Sequence, residues 1–253
     1  MRIQGASEIA AEGLVYLKKI GKKHGFGRRF EEECNKMLKT RPTEVVLYNA
    51  INGLLANRSV REIDVLIISL KTARQGIANS GRKMFNGKKV VMTHCHSHEV
   101  MSILLKNKNM IREVYVTETS PFHQGLLTAK ELAGKMKVNY IVDSAAGYYM
   151  DKVDFVLVGS DSLRKDGFVN KIGTLPLCVI AKEFNKPVYV ASDTFKIDKR
   201  KHLYIEQRPT SEVHRSMIGI KILNPVFDVT PWRYVDKIIM EDRIIKPNKL
   251  VFK

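Results

Sequence analysis

Cys95 is the side chain in this sequence best placed to act as a nucleophile or base. It lies in Thr93-His94-Cys95-His96-Ser97-His98, after the apolar run Val90-Val91-Met92 and before a helical stretch. A thiol at a helix N-terminus is drawn toward thiolate by unpaired N–H groups and the helix dipole, and neighbouring imidazoles add to the effect. Cys34 and Cys178 read instead as small buried hydrophobes, Cys178 within an apolar helix. The histidines at 94, 96 and 98 have the i, i+2 spacing of one strand face. The strand ends before them, however, and no acidic third ligand follows at a suitable spacing, so no metal site is expected.

Three carboxylates share the address of Cys95 at the end of an apolar run. Asp161 sits in Val158-Gly159-Ser160-Asp161-Ser162, Asp143 precedes Ser144, and Glu118 lies between Thr117 and Thr119. Partial burial there would raise a carboxyl pKa until the group could donate a proton, whereas capping a turn is the plainer role. Residue chemistry alone does not choose among the three. In Asn170-Lys171-Ile172-Gly173-Thr174, a Lys stands beside the backbone N–H groups that open an apolar helix, an arrangement expected to cradle phosphate. Neither GxxxxGK[ST] nor GxGxxG occurs, which disfavours nucleotide-dependent chemistry.

The elements that must position these residues divide the chain in two. Residues 1–85 read as a helical domain. Ile9, Leu14, Leu17 and Ile20 mark one stripe, Thr43–Leu55 a second helix with Pro42 at its first turn, and Val60–Asn79 a third. After the turn dipeptide Asn86-Gly87 the rhythm changes. Strands are expected at Val90–Thr93, Val114–Val116, Tyr140–Val142, Phe155–Val158 and Val188–Ala191, with helices near 98–107, 124–136, 144–150 and 173–184. Such alternation predicts an α/β domain over 86–253, its parallel sheet wrapped by helices on both faces. Ligands in these sheets bind outside the carboxyl ends of the strands, where Cys95, Glu118, Asp143 and Asp161 converge. The polar stretch 197–222 carries no assignable pattern. Phe227–Pro231 precedes a short helix, and Lys237–Met240 reads as a last strand.

The 253 residues carry 43 Lys and Arg against 26 Asp and Glu, a net charge of +17 that attracts anions. The basic residues are dispersed and lack clustered aromatics, so a solvated surface is expected rather than a nucleic-acid interface. No apolar run reaches the roughly 20 residues that span a bilayer, and the N-terminus has no signal-type apolar segment. Three widely spaced cysteines fit a reducing, cytoplasmic compartment.

These motifs together resemble one superfamily. They are Gly5-Ala6, Thr40-Arg41-Pro42-Thr43, Thr93–Ser97, Glu118–Pro121 with Gln124-Gly125, Asp143–Ala146, Gly159–Ser162, Asn170–Thr174 and Phe227–Pro231, and they cover nearly the whole chain. Their order and spacing are similar to those of ribose-1,5-bisphosphate isomerases, methylthioribose-1-phosphate isomerases and the regulatory subunits of the exchange factor for translation initiation factor two. Archaeal ribose-1,5-bisphosphate isomerases are the nearest in compactness.

The resemblance implies an N-terminal helical domain followed by a Rossmann-like domain, a homodimer or dimer-based oligomer, and a phosphorylated sugar as substrate with no cofactor. It implies Cys95 as proton acceptor and Asp161 as donor, which separates Asp161 from its rivals. Gln4, Gly5, Ala6, Ser7, Arg41, Ser97, His98, Glu99, Asn170, Lys171 and Lys196 would line the sugar-phosphate site. The reaction implied is aldose 1-phosphate to 2-ketose 1-phosphate, specifically ribose 1,5-bisphosphate to ribulose 1,5-bisphosphate. A non-catalytic subunit that binds initiation factor two or nucleotides is the alternative, though such subunits do not keep the Cys and Asp pair. The isomerases carry Arg-Gly-Ala and Glu-Thr-Arg-Pro where this chain has Gln4-Gly5-Ala6 and Glu118-Thr119-Ser120-Pro121. Neither Gln nor Ser supplies the bidentate charge of Arg, so a weaker grip on the second phosphate is expected.

Overall fold

The computed structural model describes residues 5–203 and 205–252. Its first part is helical: α1 (Ala6–His24), α2 (Arg28–Thr40), α3 (Val45–Ala56) and α4 (Val60–Gly81). The stripe expected on α1 is real at Leu14 and Leu17, which are fully buried, while Ile9 and Ile20 lie at the edge of the helix contact. They meet Phe30, Val46, Leu47, Ile51, Leu54 and Ile63 in one core. Phe30 and Cys34, one turn apart, are the buried face of α2, which has too few apolar residues to stand out as a separate element in sequence. Pro42 sits in the turn ahead of α3 rather than inside its first turn. Ser59 caps α4 by accepting the Glu62 N–H at 3.0 Å.

The remainder runs β1 (Lys89–Thr93), α5 (His98–Lys106), β2 (Ile111–Thr117), α6 (Gly125–Leu132), β3 (Val138–Ile141), α7 (Ala146–Tyr149), β4 (Phe155–Val158), β5 (Ser162–Leu163), β6 (Gly167–Lys171), α8 (Thr174–Glu183), β7 (Val188–Ala191), β8 (Phe227–Pro231), β9 (Lys237–Ile239) and β10 (Ile244–Ile245). The larger sheet has the order β10-β9-β7-β4-β1-β2-β3 and is parallel except for β10 on β9. Both faces are covered, which is why its strands read as unbroken apolar runs. Alternate residues face opposite ways: Val90, Met92, Val156 and Val158 join Leu177 and Cys178 of α8. Val91, Val114, Val116 and Leu157 join Ile103 and Leu104 of α5 with Ile77 of α4. The mostly parallel α/β architecture behind a helical N-terminal region is therefore as the sequence predicted.

Three details differ from expectation. Phe227–Pro231 is itself a strand, and with β5 and β6 it forms a second, antiparallel sheet of order β5-β6-β8. Asn170 and Lys171 end β6 rather than opening α8. Lys237–Ile239 is followed by one further short strand. The β6 partner β8 lies far along the chain, and β5 and β10 are two residues each, so none of them leaves a local pattern.

The helical region meets the sheet where the candidate residues lie. Asn49 of α3 donates both amide hydrogens to the turn after β7, to the carbonyls of Phe195 (2.7 Å) and Ile197 (2.8 Å). Among the described residues, no helix is long and apolar enough to cross a membrane.

Candidate active site

Cys95 follows β1 in the left-handed region, at φ 69°, held by three contacts from neighbouring strand ends and helices. Its N–H donates to Thr119 Oγ1 at 2.8 Å, its carbonyl accepts the Thr128 hydroxyl at 2.9 Å, and its thiol lies 3.4 Å from Gln124 Oε1. Because the Thr128 proton is taken, His96 Nδ1 must donate to that hydroxyl at 2.9 Å. His94 is buried between Thr117 Oγ1 at 2.7 Å and the Ile172 carbonyl at 2.8 Å. A carbonyl only accepts, so Nε2 carries the His94 proton, and burial keeps the ring neutral by lowering its pKa. His98 turns the other way, its Nδ1 3.6 Å from Glu8. The three histidines thus have different hydrogen-bond or ionic partners, although the rings of His96 and His98 meet edge to face at 5.4 Å. Among the described residues no group of three or more His, Cys, Asp or Glu is arranged to hold a metal ion.

The expected drift of Cys95 toward thiolate does not occur. Burial pushes its pKa up to about 11, with Lys171 the strongest influence in the opposite direction. The helix N-terminus is not available to it, because α5 begins at His98 and Ser97 Oγ fills the cap.

Geometry separates the three carboxylates. Asp143 accepts the backbone N–H of Thr119 on one oxygen and of Ser120 on the other, both at 2.8 Å, so it pins the turn after β2. Glu118 accepts the Ser120 hydroxyl at 2.9 Å and faces His123 at 3.4 Å. Asp161 alone opens into a cleft, of about 170 Å³. Solvent reaches the carboxyl through that cleft, yet protein surrounds it closely enough for lost hydration to raise its pKa. Lys196 and Lys171 pull the other way, and Glu99 adds to the rise. Lys171 therefore acts on both Cys95 and Asp161 and is the cation they share.

Glu99 and Lys196 form a buried ion pair at 3.0 Å, and Ser97 donates its hydroxyl to the other Glu99 oxygen at 2.7 Å. Burial opposes both charges, but each partner's field wins: Glu99 is held below and Lys196 above its ordinary pKa. Asp193, buried beside them, was not singled out in sequence although it closes β7 as Asp161 closes β4. Burial pushes it up to about 6.

Of the other expected site residues, Ala6 lines the Asp161 cleft. Gly5 caps α1 against Glu8 and His98, and Ser7 lies in the first turn of α1. Gln4 lies outside the described residues. Arg41 sits at the rim, half exposed and 3.9 Å from Glu44. The Lys171 ammonium stands 5.3 Å from the Phe227 ring centroid, and buried Asn170 donates to Thr174 Oγ1 at 2.9 Å. The free N–H groups expected beside Lys171 are occupied: Asp228 accepts those of Gly173 (2.8 Å) and Leu175 (3.0 Å). Any phosphate here is left to side chains. Glu44 and Asp228, both missed in sequence, act on the site from segments whose approach no local pattern announces.

The result is an acid and a thiol that both favour their protonated forms, with the charge of Lys171 acting on each and that of Lys196 on Asp161, an arrangement suited to hold an anion and exchange protons beside it. A model of the Initiation factor 2 subunit family matches residues 2–247. A ribose 1,5-bisphosphate isomerase of Archaeoglobus fulgidus is 38% identical, covering 98% of this chain and 87% of its own. A methylthioribose-1-phosphate isomerase of Petrotoga mobilis is 33% identical over 98% and 84%. The crystal structure of translation initiation factor eIF-2B from Pyrococcus horikoshii OT3 superposes with a TM-score of 0.82 at 28% identity, covering 98% of this chain and 93% of that one.

Proposed function

Because the chain belongs to the Initiation factor 2 subunit family, and relatives at 33–38% identity are named isomerases, we propose that it is a sugar-phosphate isomerase. It would convert an aldose 1-phosphate to the 2-ketose 1-phosphate, with ribose 1,5-bisphosphate the first substrate to assay. Phosphate on C1 blocks spontaneous ring opening, so an acid must first free the aldehyde carbon. Asp161, whose pKa is raised by burial, is that acid. Cys95 is the proton acceptor, and Lys171, felt by both groups, favours its thiolate. The single observation that supports this reading is that the charge of Lys171 acts on both groups.

Lys171, Lys196, Asn170 and Arg41 would hold the phosphorylated sugar, with Gln4, Gly5, Ala6, Ser7, Ser97, His98 and Glu99 lining its site. Residues 1–85 and 86–253 would be two domains meeting at that site, in a cytoplasmic dimer or dimer-based oligomer.

Purified protein should convert ribose 1,5-bisphosphate, or another aldose 1-phosphate, to a 2-ketose. Cys95→Ser and Asp161→Asn should each abolish conversion while sugar binding survives. Wild-type protein that binds such sugars and never turns them over refutes the assignment. The superposition on the translation factor favours a second reading, a non-catalytic subunit that binds initiation factor two. It predicts capture of that factor, undiminished by Cys95→Ser.

A further inference from the structure

The Asp161 cleft is charged unevenly. Glu44, Asp161, Glu206, Asp198, Arg200 and His202 are its ionisable lining residues, and neither Lys171 nor Lys196 is among them. The Arg200 guanidinium is committed: it donates to both oxygens of Asp198, at 2.8 and 3.1 Å, and to the Pro42 carbonyl at 2.6 Å. Asp198 also accepts from Arg164 at 2.8 Å, so that carboxylate is fully engaged.

Glu44 is not engaged in this way. It occupies the N-cap of α3, yet its side chain makes no cap hydrogen bond. Its one ion-pair partner among the described residues is Arg41 at 3.9 Å, and 27% of the side chain is exposed. Burial raises its pKa and the charge of Asp161 adds to the rise, while Arg41 and Lys196 oppose it. With Arg200 and Asp198 committed to each other, the carboxylates left facing the cleft are Glu44, Asp161 and Glu206, and Arg41 at 3.9 Å is the cation beside Glu44.

We propose that Glu44 determines substrate specificity by accepting a free hydroxyl of a singly phosphorylated aldose and repelling a second phosphate. A carboxylate accepts a short, charge-assisted hydrogen bond from a sugar hydroxyl. A phosphate dianion in the same place offers no proton and brings like charge beside Glu44 and Glu206. Discrimination by such a repulsive element is a common route to specificity. This inference rests on the isomerase reading for its substrate class and narrows that class to aldose 1-phosphates without a second phosphate.

The test compares ribose 1-phosphate with ribose 1,5-bisphosphate on wild type, Glu44→Ser and Glu44→Gln. Binding is measured by calorimetry and turnover in parallel. Serine caps a helix well, so Glu44→Ser should keep α3, which circular dichroism and thermal unfolding check. Wild type should favour the monophosphate. Glu44→Ser should shift the affinity ratio toward the bisphosphate by about tenfold, the scale of one nearby like charge near a protein surface. Glu44→Gln keeps a hydrogen bond without the charge and should fall between. A ratio unchanged within twofold, or a wild-type preference for the bisphosphate, overturns the proposal. A shifted ratio without turnover of either sugar upholds Glu44 and refutes the isomerase assignment. Turnover with an unshifted ratio does the reverse, and failure to bind either sugar refutes both.

Discussion

The Glu99–Lys196 pair offers the sharpest test of how the site is held together. Both side chains are buried, at 7% and 5% exposure, and their charged atoms are 3.0 Å apart. Lys196→Met keeps most of the side-chain length and removes the charge. Glu99 is then left with the Ser97 hydroxyl, and with Asp161 and Asp193 in place of a compensating cation nearby. Removing one partner of a buried pair costs about 3–5 kcal/mol, because the other charge stays desolvated and unpaired. At about 2–4 °C per kcal/mol for a chain of this size, Tm should fall by about 6–20 °C. The double variant Lys196→Met/Glu99→Gln should recover most of that loss, since it leaves no orphaned charge. Thermal and urea unfolding of both single variants and the double at pH 7.5 would measure this. A loss below about 1 kcal/mol for Lys196→Met, or a double variant no more stable than the sum of the singles, would refute the reasoning.

Other outcomes follow from the same geometry. With Cys95 near 11, only about one thiol in ten thousand is ionised at pH 7. On the proposed roles, the active form would be thiolate with protonated Asp161, a minority whose population is constant between the two pKa values. The profile of kcat/KM against pH should therefore be a broad plateau that falls below the raised Asp161 pKa and above about 11; a limb at the ordinary thiol pKa would contradict it. Asp193, lifted from 3.8 to about 6, binds its proton more tightly in the folded state, so its contribution to stability is fully present below 3.8 and lost as pH rises through 6. Asp193→Asn should accordingly gain up to about 3 kcal/mol over wild type at pH 8 and little at pH 4, measured as unfolding free energy at each pH. A Cβ on Gly125 would lie 1.8 Å from the Thr117 carbonyl oxygen, whereas one on Gly87, at φ +80°, meets nothing within 4 Å. Gly125→Ala should cost about 3 kcal/mol or more and disturb Gln124 beside the thiol, while Gly87→Ala should cost about 1–2, both by thermal unfolding.

Much of this molecule was legible in local pattern. Leu14 and Leu17 on one face of α1, and the uninterrupted runs of β1, β4 and β7, declare their burial through spacing alone, because helical and pleated periodicities are properties of a few consecutive residues. Strand ends in a parallel sheet converge, so the addresses of Cys95, Asp143, Asp161 and Glu118 could be read from order along the chain. What each does at its address could not. Whether Asp143 or Asp161 faces the cleft depends on Thr119 and Ser120, whose N–H groups reach Asp143 from another strand end. Asp228, more than fifty residues beyond Gly173, occupies the N–H groups that looked free. Cys95 was expected to ionise readily from its neighbours in sequence, and it is instead raised by the protein that folds over it. Sequence determined which groups would gather, since that follows from short-range periodicity. Tertiary structure decided their charge, because hydration and the partner that replaces it are set by residues distant along the chain.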